Sequence, residues 1–548
     1  MFISQTLPAV LLVLTVVCCT LFLSRRALHY FQLESYQFRG YARTLSRQLE
    51  KAWTPGLLLS AAVLAAAVLF WAVMRWTEAL EGAPALFARL PAVLIICLAL
   101  GLFTRQMVLN QQKEKQKKPF VLTARVKRLY AGLLIVLLGL SALCYFVFCA
   151  GKSYLCCAVF ALIPLGIPLI VGLAGLIMWP VERLIQRAYF VDARKKLLAN
   201  DRLIRIGITG SYGKTSTKFV LAGILSQKYN VLATPASFNT PMGLTRVIRE
   251  RLTPAHQVFI GEMGARHRGD IRELCSLVRP TIGILTSVGP QHLDTFGSIE
   301  NITKTKYDLI EALPENGTAY FQDDGGIVTG LYEKTTVSKR LIGPAGSAAW
   351  AENVSVGPSG SSFTLRFSDQ SSIQCETKLL GEHNIRNILC AAAVARDLGL
   401  TDRQIAQGIS ALTPVEHRLQ LVSSAGGVTV IDDAFNTNPR SSQEALRVLS
   451  LFPGRKIVVT PGMVELGEKE ADYNREFGEH LARSADLVFL VGKKHTAPIV
   501  EGLLSQGFSE ECLTVSSSFD EAVASLKTVL RPGDTVMYEN DLPDNYSE

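Results

Sequence analysis

The sequence predicts an α-helical membrane region followed by two α/β domains. Five long apolar runs lie within residues 1–200, and about 20 apolar residues are the length that spans a bilayer as a helix. After them, β-branched strands alternate with helix-like segments, which is the pattern of sheets built from parallel strands. Because 548 residues give room for several domains, we divide the chain into residues 1–200, 201–418 and 419–548.

The first apolar run differs from a removable leader. Arg25 and Arg26 follow it, where a signal peptide would have a small-residue cleavage site, so we expect a retained anchor. We expect the whole region to cross the membrane five times, as an anchor or as a surface for a lipid-linked substrate. The runs cover approximately Leu7–Leu23, Leu57–Met74, Ala85–Phe103, Leu129–Cys149 and Leu155–Trp179.

Basic charge is concentrated in the apolar half. Residues 1–200 hold 22 Lys and Arg against 7 Asp and Glu, a net charge of +15, whereas residues 201–548 hold 34 against 40, a net charge of −6. An excess confined to the membrane half does not indicate a nucleic-acid partner. Most of it falls in the loops after the first and third runs, and the positive-inside rule places such loops in the cytoplasm. The prediction is a multi-pass protein of the cell membrane, with its N-terminus outside and its α/β domains in the cytoplasm.

A glycine-rich turn joins a strand to a helix at residues 207–218. The strand is Leu203–Ile206, and the helix continues through Phe219–Leu225. Glycines at such a turn let several backbone N–H groups point at one anion, and Lys214 would add positive charge on the β- and γ-phosphates. The hydroxyl of Thr215 would be a ligand of Mg²⁺. The turn therefore predicts a P-loop ATPase as the central domain.

The spacing of the glycines differs from that of the common P-loop. The common loop has a glycine five residues before Gly213, where this chain has Ile208, and the glycine of this loop is Gly210. We interpret the turn as a shortened variant. The alternative is a glycine-rich connection that binds no nucleotide.

Three further residues follow the turn at strand ends or on a helix. Glu262 ends a hydrophobic strand, His292 follows the next strand, and Lys306 lies on the helix after it. A carboxylate at the carboxyl end of a strand near a phosphate loop is placed to hold Mg²⁺. Singly, His292 and Lys306 are typical of a loop histidine and a solvated lysine. Together with Thr215 and Glu262 they predict a two-metal ATP site.

The last domain is predicted to contain a Rossmann-like parallel sheet. Its candidate strands, which alternate with helix-like segments, are residues 428–431, 456–460, 487–491 and 535–538.

Eight short motifs follow one another along the chain from residue 207 onward. The motifs lie at Gly207–Ser216, Glu262–Ala265, Gln291–Ser298, Lys304–Lys306, Gly381–Asn387, Pro414–Leu419, Asp432–Pro439 and Pro461–Gly467. Over roughly residues 200–530 this series resembles the Mur ligase family, the ATP-dependent amide ligases that build the peptidoglycan stem peptide. The last two motifs are most similar to the members that join D-alanyl-D-alanine to UDP-N-acetylmuramoyl-tripeptide.

The resemblance implies roles for individual residues. The catalytic residues would be Lys214, Lys306, His292 and Arg418. Thr215 and Glu262 would hold one Mg²⁺, and His292 and Lys306 a second. Lys306 would be carbamylated, because a carbamate offers the anionic oxygens that a hard cation prefers. The nucleotide would contact Gly210, Ser211, Gly213, Lys214, Thr215, Ser216, Asn384, Asn387, Arg418, Asp433 and Asn436, with the first two asparagines facing adenine.

The reaction that the resemblance implies passes through an acyl phosphate. A substrate carboxylate attacks the γ-phosphate of ATP, and an amine then displaces the phosphate. The favoured substrates are UDP-N-acetylmuramoyl-tripeptide and D-alanyl-D-alanine. Two alternatives stay open: a Mur-like amide ligase acting on a lipid-linked wall precursor or a γ-glutamyl polymer, and a non-catalytic ATP-binding membrane scaffold of wall synthesis.

Two features depart from the family pattern. Soluble members begin with a domain that binds the UDP end of the substrate, where this chain has membrane spans. Members of the favoured group also have a Lys-Gly-Ser stretch near their end, where residues 538–544 of this chain are acidic. Both departures concern substrate recognition, and neither concerns ATP.

Overall fold

A computed structural model describes residues 2–80, 82–113, 119–151, 160–236, 238–423, 425–435, 437–464 and 466–540. The chain forms two compact units, one ending at Gln186 and the other beginning at Arg187. The predicted boundaries at residues 200 and 418 remain a prediction.

The first unit is helical, and five of its described helices are long and apolar enough to cross a membrane. They agree in number and approximate position with the five predicted runs; the start of the fifth run, residues 155–159, lies outside the described residues. The helices are α1 Phe2–Leu23, α2 Arg25–Leu33, α3 Phe38–Arg47, α4 Leu49–Trp76, α5 Gly82–Gln112, α6 Ala124–Gly151 and α7 Ile167–Leu198.

The second unit begins within the last part of α7 and contains a nine-stranded sheet. Its strands are β1 Ile204–Thr209, β2 Val231–Ala233, β3 Val258–Glu262, β4 Ile282–Leu285, β5 Thr318–Gln322, β6 Ser338–Gly343, β7 Ala349–Gly357, β8 Gly360–Phe367 and β9 Ser372–Thr377. They lie in the order β2-β3-β1-β4-β5-β6-β7-β8-β9. The pairs from β2 to β7 are parallel, and β7, β8 and β9 are antiparallel.

Helices cover this sheet on both faces, so its central strands are buried on both sides. Along β3, Val258 and Ile260 belong to one core and Phe259 belongs to the other. This is why parallel strands read as continuous hydrophobic runs. The helices are α8 Lys214–Leu225, α9 Pro241–Arg251, α10 Asp270–Val278, α11 Leu293–Phe296, α12 Ile299–Glu311, α13 Ile327–Lys334, α14 Glu382–Asp397 and α15 Asp402–Ser410.

The position of β1 decides where the site lies. This strand lies between β3 and β4, with Ile208 opposite Glu262 and Thr209 opposite Leu285. The chain therefore leaves β1 beside the carboxyl ends of both neighbours, which is where ligands bind in open α/β sheets.

A second sheet, of six strands, follows in the order β10-β11-β15-β12-β13-β14. All of its strand pairs are parallel except β10 with β11. The four predicted strands are present in it as β11, β12, β13 and β15, whereas β10 and β14 were not predicted. The strands are β10 Gln420–Ser423, β11 Thr429–Asp433, β12 Lys456–Thr460, β13 Leu487–Val491, β14 Leu513–Ser516 and β15 Thr535–Glu539, and the helices are α16 Pro439–Ser450, α17 Glu470–Ser484, α18 Ala497–Ser505 and α19 Phe519–Val529.

Candidate functional site

The turn between β1 and α8 is packed against the segment that follows β4. A Cβ atom on Gly210 would lie 2.0 Å from Thr286 Oγ1 and 3.0 Å from the backbone nitrogen of Ser287. The backbone nitrogens of Ser211 and Tyr212 donate hydrogen bonds of 2.8 Å to the carbonyl oxygen and the hydroxyl of Ser287. A side chain at position 210 would break this packing, so this position of the turn requires glycine.

Two lysines meet at the turn. Lys214 Nζ donates to the carbonyl oxygens of Gly210 and Ser211 at 2.7 and 2.9 Å, and Lys306 Nζ donates to the carbonyl oxygen of Gly210 at 2.9 Å. Burial lowers the pKa of Lys214 to about 8. Burial, and then the charge of Lys214, hold the pKa of Lys306 well below its ordinary value. The two amines and the backbone of the turn form a site suited to an anion.

The carboxylate of Glu262 is the centre of a buried polar cluster. Its Oε1 accepts hydrogen bonds from Thr215 Oγ1 at 3.1 Å and from Asn239 Nδ2 at 3.2 Å. Its Oε2 accepts from Lys218 Nζ at 2.9 Å. Burial acts to raise the pKa of Glu262, but the charges of Lys218 and Lys214 outweigh it and lower that pKa below its ordinary value. Glu262 is therefore held as a carboxylate.

Lys218 was not predicted from the sequence. It lies one helical turn after Lys214 on α8, its side chain is fully buried, and its ammonium also donates to the carbonyl oxygen of Ala236. A lysine four residues after the loop lysine, on a helix face that is otherwise apolar, was the available signal. Its partner Glu262 is distant in sequence, so the ion pair itself left no local pattern.

Two side chains at this site offer oxygen atoms that suit a magnesium ion. Thr215 and Glu262 bring a hydroxyl and a carboxylate oxygen within 3.1 Å of each other, and hard oxygens are the ligands that Mg²⁺ prefers. No group of three or more His, Cys, Asp or Glu side chains suited to a metal occurs among the described residues. His292 lies immediately before α11 with φ of 55°. Its neighbour Gln291 has its Oε1 3.5 Å from Lys214 Nζ, so this segment approaches the turn.

The two predicted asparagines lie at the start of α14 and are both buried. Asn387 Oδ1 accepts a hydrogen bond of 3.0 Å from Thr217 Oγ1, and Asn384 Nδ2 donates to the carbonyl oxygen of Leu380 at 2.9 Å. A Cβ atom on Gly213, whose φ is 79°, would lie 3.2 Å from Asn387 Oδ1. Asn387 therefore packs against the turn between β1 and α8. Its role toward adenine stays a prediction.

Arg418 connects the second sheet to the first. Its Nη2 lies 3.5 Å from Thr215 Oγ1, and its guanidinium lies 4.6 Å from the centre of the Phe435 ring. Asp433 Oδ1 accepts a hydrogen bond of 3.1 Å from the backbone nitrogen of Leu419. Burial raises the pKa of Asp433 to about 7.

The structure thus brings most of the predicted residues to one place. Gly210, Ser211, Gly213, Lys214, Thr215, Glu262, Lys306 and Arg418 are joined by the contacts given above. Ser216 is half-buried on α8, and Asn436 lies outside the described residues. Besides Lys218, the sequence reasoning missed Asn239, Thr286, Ser287 and Phe435, which hold these residues in position.

Residues 208–395 match the family model described as the Mur ligase middle domain, and residues 417–538 match the model described as the Mur ligase, glutamate ligase domain. A UDP-N-acetylmuramoyl-tripeptide–D-alanyl-D-alanine ligase from Mycobacterium tuberculosis strain H37Rv is 35% identical over 358 residues, which cover 61% of this chain and 69% of the relative. The enzyme of the same name from Escherichia coli K12 is 32% identical over 317 residues, which cover 57% of this chain and 69% of the relative.

Solved structures agree with these matches. MurF from Acinetobacter baumannii superposes with a TM-score of 0.60 and 26% identity, covering 66% of this chain and 78% of that chain. A MurF ligase from Thermotoga maritima in complex with ADP superposes with a TM-score of 0.58 and 26% identity, covering 65% of this chain and 80% of that chain.

Proposed function

The chain belongs to the Mur ligase family, and on this premise we propose that it joins D-alanyl-D-alanine to UDP-N-acetylmuramoyl-tripeptide with the hydrolysis of ATP. Members of this family are ATP-dependent enzymes that form amide bonds. One observation carries the proposal: Lys214 and Lys306 converge on the carbonyl oxygen of Gly210, beside the contact between Thr215 and Glu262. An anion site and a pair of hard oxygen donors then adjoin each other at one strand end.

The turn after β1 is proposed as the site of the ATP phosphates. Lys214 and the backbone N–H groups of a helix start favour negative charge there. Arg418 approaches the same place from the second sheet and would neutralise charge on the γ-phosphate. Both groups act by position and charge, which is the main source of catalysis in phosphoryl transfer. The other proposed nucleotide contacts are Ser216, Asn384, Asn387, Asp433 and Asn436.

Thr215 and Glu262 are proposed to hold Mg²⁺, and His292 and Lys306 a second ion. The ions would supply charge neutralisation between the phosphate oxygens. Glu262 is already held as an anion, which is the form that binds a cation. Oε2 is paired with the ammonium of Lys218, whereas Oε1 accepts only from the neutral groups of Thr215 and Asn239, so a metal shared with Thr215 would bind at Oε1.

Lys306 is proposed to be carbamylated. An amine attacks CO₂ only when it is neutral, and burial together with the charge of Lys214 favours the neutral form of Lys306. The resulting carbamate would place an anion against Lys214, which relieves the repulsion between the two ammonium groups. The carbamate oxygens would also suit a hard cation.

The proposed reaction has two steps. An oxygen of the tripeptide carboxylate attacks the γ-phosphorus, the bond to the β,γ-bridging oxygen breaks, and ADP leaves with the formation of an acyl phosphate. The amine of D-alanyl-D-alanine, after losing a proton, attacks the acyl carbon, and inorganic phosphate departs. Lys214 and Arg418 reduce the repulsion between the two anionic reactants in the first step.

The helical unit is proposed to cross the cell membrane five times, with the N-terminus outside and residues 201–548 in the cytoplasm. The number of long apolar helices supports this arrangement, and the basic loops support its direction. The proposed role of these helices is to anchor the two catalytic domains, 201–418 and 419–548, at the membrane.

The test is ligation by the full chain purified in detergent. The protein receives ATP, Mg²⁺, UDP-N-acetylmuramoyl-tripeptide and D-alanyl-D-alanine, and the products are weighed by mass spectrometry. We expect the tripeptide to gain the mass of the dipeptide minus water, and Lys214→Ala to lose this product. The surface variant Lys334→Ala is the control. ADP formation with a lipid-linked precursor but not with the UDP-linked one would contradict the proposed substrate.

A further inference from the structure

Three neighbouring strands of the second sheet end in polar side chains at the same edge. β15 lies between β11 and β12, and Asp433 is opposite Glu539 in the register of the first pair. In the second pair Val459 is opposite Tyr538, so the next residue of each strand, Thr460 and Glu539, are also neighbours. Side chains at equal register in parallel strands point to the same face, which brings the two acids and the threonine together.

Glu539 is fully buried, and one of its oxygens has no partner. Its Oε2 accepts a hydrogen bond of 2.8 Å from Thr460 Oγ1. The Thr437 hydroxyl also lies near enough to lower the pKa of Glu539, but no described residue makes a hydrogen bond of good geometry to its Oε1. In the described part of the chain, no basic side chain acts on the pKa of Glu539. A buried oxygen without a donor is rare in native proteins and is unfavourable, so it points to a missing partner.

The surroundings of Glu539 favour a positively charged partner. Burial, reinforced by the neighbouring Asp433, raises the pKa of Glu539 to about 8, against the opposing effect of the hydroxyl groups of Thr460 and Thr437. Two acids on adjacent strands without a shared cation repel each other when both are ionised. A cation between them would remove this repulsion and supply the missing donor.

The acidic edge is connected to the phosphate site. Asp433 accepts from the backbone nitrogen of Leu419, and the adjacent Arg418 approaches Thr215 at the start of α8. The edge therefore belongs to the side of the second sheet that contributes to the nucleotide site.

We propose that Glu539, together with Thr460, binds the ammonium group of the incoming amine. This assignment rests on the proposed ligase function and specifies one contact of its second substrate. An ammonium group has three donors, which match Glu539 Oε1 and the polar groups beside it. The site selects substrates by a positive charge, and it rejects an amine whose nitrogen has been acylated.

The experiment compares Glu539→Gln with the wild-type full chain in detergent. Glutamine preserves the shape and the bond to Thr460, but it cannot ionise when the ammonium group binds. We expect the KM for D-alanyl-D-alanine to rise at least tenfold, and the KM values for ATP and for UDP-N-acetylmuramoyl-tripeptide to stay within twofold. The formation of ADP and acyl phosphate without amine should also be unchanged. Glu511→Gln, an exposed acid of the same domain, is the matched control. An unchanged KM for the dipeptide in Glu539→Gln overturns the assignment.

A second measurement does not depend on the folding of the variant. N-acetyl-D-alanyl-D-alanine lacks the ammonium group. We therefore expect its inhibition constant for the wild-type enzyme to be at least ten times the KM of the free dipeptide. Inhibition at the concentration of that KM overturns the assignment.

Failure of the ligase proposal gives a different result. If the wild type ligates another amine and not D-alanyl-D-alanine, the proposed substrate is wrong, and the comparison is repeated with that amine. A raised KM for it in Glu539→Gln then supports the ammonium site, and an unchanged KM overturns it.

Discussion

Replacing Lys218 with methionine tests the buried ion pair at the centre of the site. Lys218 has 0% of its side chain exposed and Glu262 has 1%, and their charged atoms are 2.9 Å apart. Methionine fills a similar volume but leaves Glu262 with only the neutral donors Thr215 and Asn239. Breaking a buried pair by removing one partner destabilises a protein by about 3–5 kcal/mol, because an uncompensated charge remains.

The expected effect on unfolding follows from this free energy. For a unit of this size a loss of about 3–5 kcal/mol lowers the melting temperature by roughly 6–10 °C. Melting is followed by differential scanning fluorimetry on the full chain in detergent. The surface variant Lys334→Met should melt within about 1 °C of the wild type, since exposed substitutions change stability by about 0.5 kcal/mol at most.

A double variant separates the charge from the packing. Lys218→Met combined with Glu262→Gln removes the uncompensated charge, so we expect it to recover most of the lost stability. Acidification should act in the same direction on the single variant, because protonation of Glu262 relieves the unpaired charge. In the wild type the lowered pKa of Glu262 means the opposite: its stabilising effect is present above the ordinary pKa of glutamate and is lost as the pH falls. A single variant as stable as the wild type, or a double variant less stable than the single one, refutes the reasoning.

Three further predictions concern single residues of the two α/β domains. Lys306→Ala should abolish ligation without restoration by millimolar bicarbonate, because a free carbamate is not held in place; full activity of this variant in the coupled ADP assay contradicts the carbamate role. Gly210→Ala should destabilise the chain by about 1–3 kcal/mol through overpacking, because its Cβ would lie 2.0 Å from Thr286 Oγ1; Gly330→Ala, whose Cβ meets nothing within 4 Å, is the control, and equal melting temperatures of the two variants contradict the clash. Burial raises the pKa of Glu539 from 4.5 to about 8, so the folded state retains a proton that the unfolded state has lost, and stability should fall as the pH rises between these values. Glu539→Gln should remove this part of the pH dependence, and identical melting curves of variant and wild type from pH 5 to pH 8 contradict it.

The sequence was sufficient for those parts of the site that depend on local patterns. A glycine-rich turn between a strand and a helix predicts the position of Lys214 and Thr215, because the spacing of the motif dictates the backbone geometry. Glu262 was predictable because it ends a hydrophobic strand, and parallel strands bring their carboxyl ends to one edge. The five long apolar helices were predictable because length and apolar composition alone decide whether a helix could cross a membrane.

The rest of the site depends on contacts between distant parts of the chain. Lys218 resembles any basic residue on a helix, and only the packing of α8 against β3 brings it to Glu262. Glu539 belongs to an acidic segment that reads as exposed, yet the order of β11, β15 and β12 buries it completely. Such pairings follow from sheet order, which a single sequence does not specify.

The hairpins of the first sheet were missed for a different reason. Residues 372–377 alternate strictly between exposed and buried positions, as a half-exposed strand does. This alternation was a usable signal for β9. The one-residue shift in the pairing of β7 with β8, between Glu352 and Ser355, was not predictable from the pattern of apolar residues.

The central claim is that ATP activates a substrate carboxylate as an acyl phosphate. The most direct test uses UDP-N-acetylmuramoyl-tripeptide whose reacting carboxyl group is labelled with ¹⁸O, together with ATP, Mg²⁺, D-alanyl-D-alanine and the full chain in detergent. We predict that each ligation transfers one labelled oxygen to inorganic phosphate, as read by mass spectrometry of the phosphate, and that none is transferred with Lys214→Ala. Ligated product accompanied by unlabelled phosphate would contradict the account.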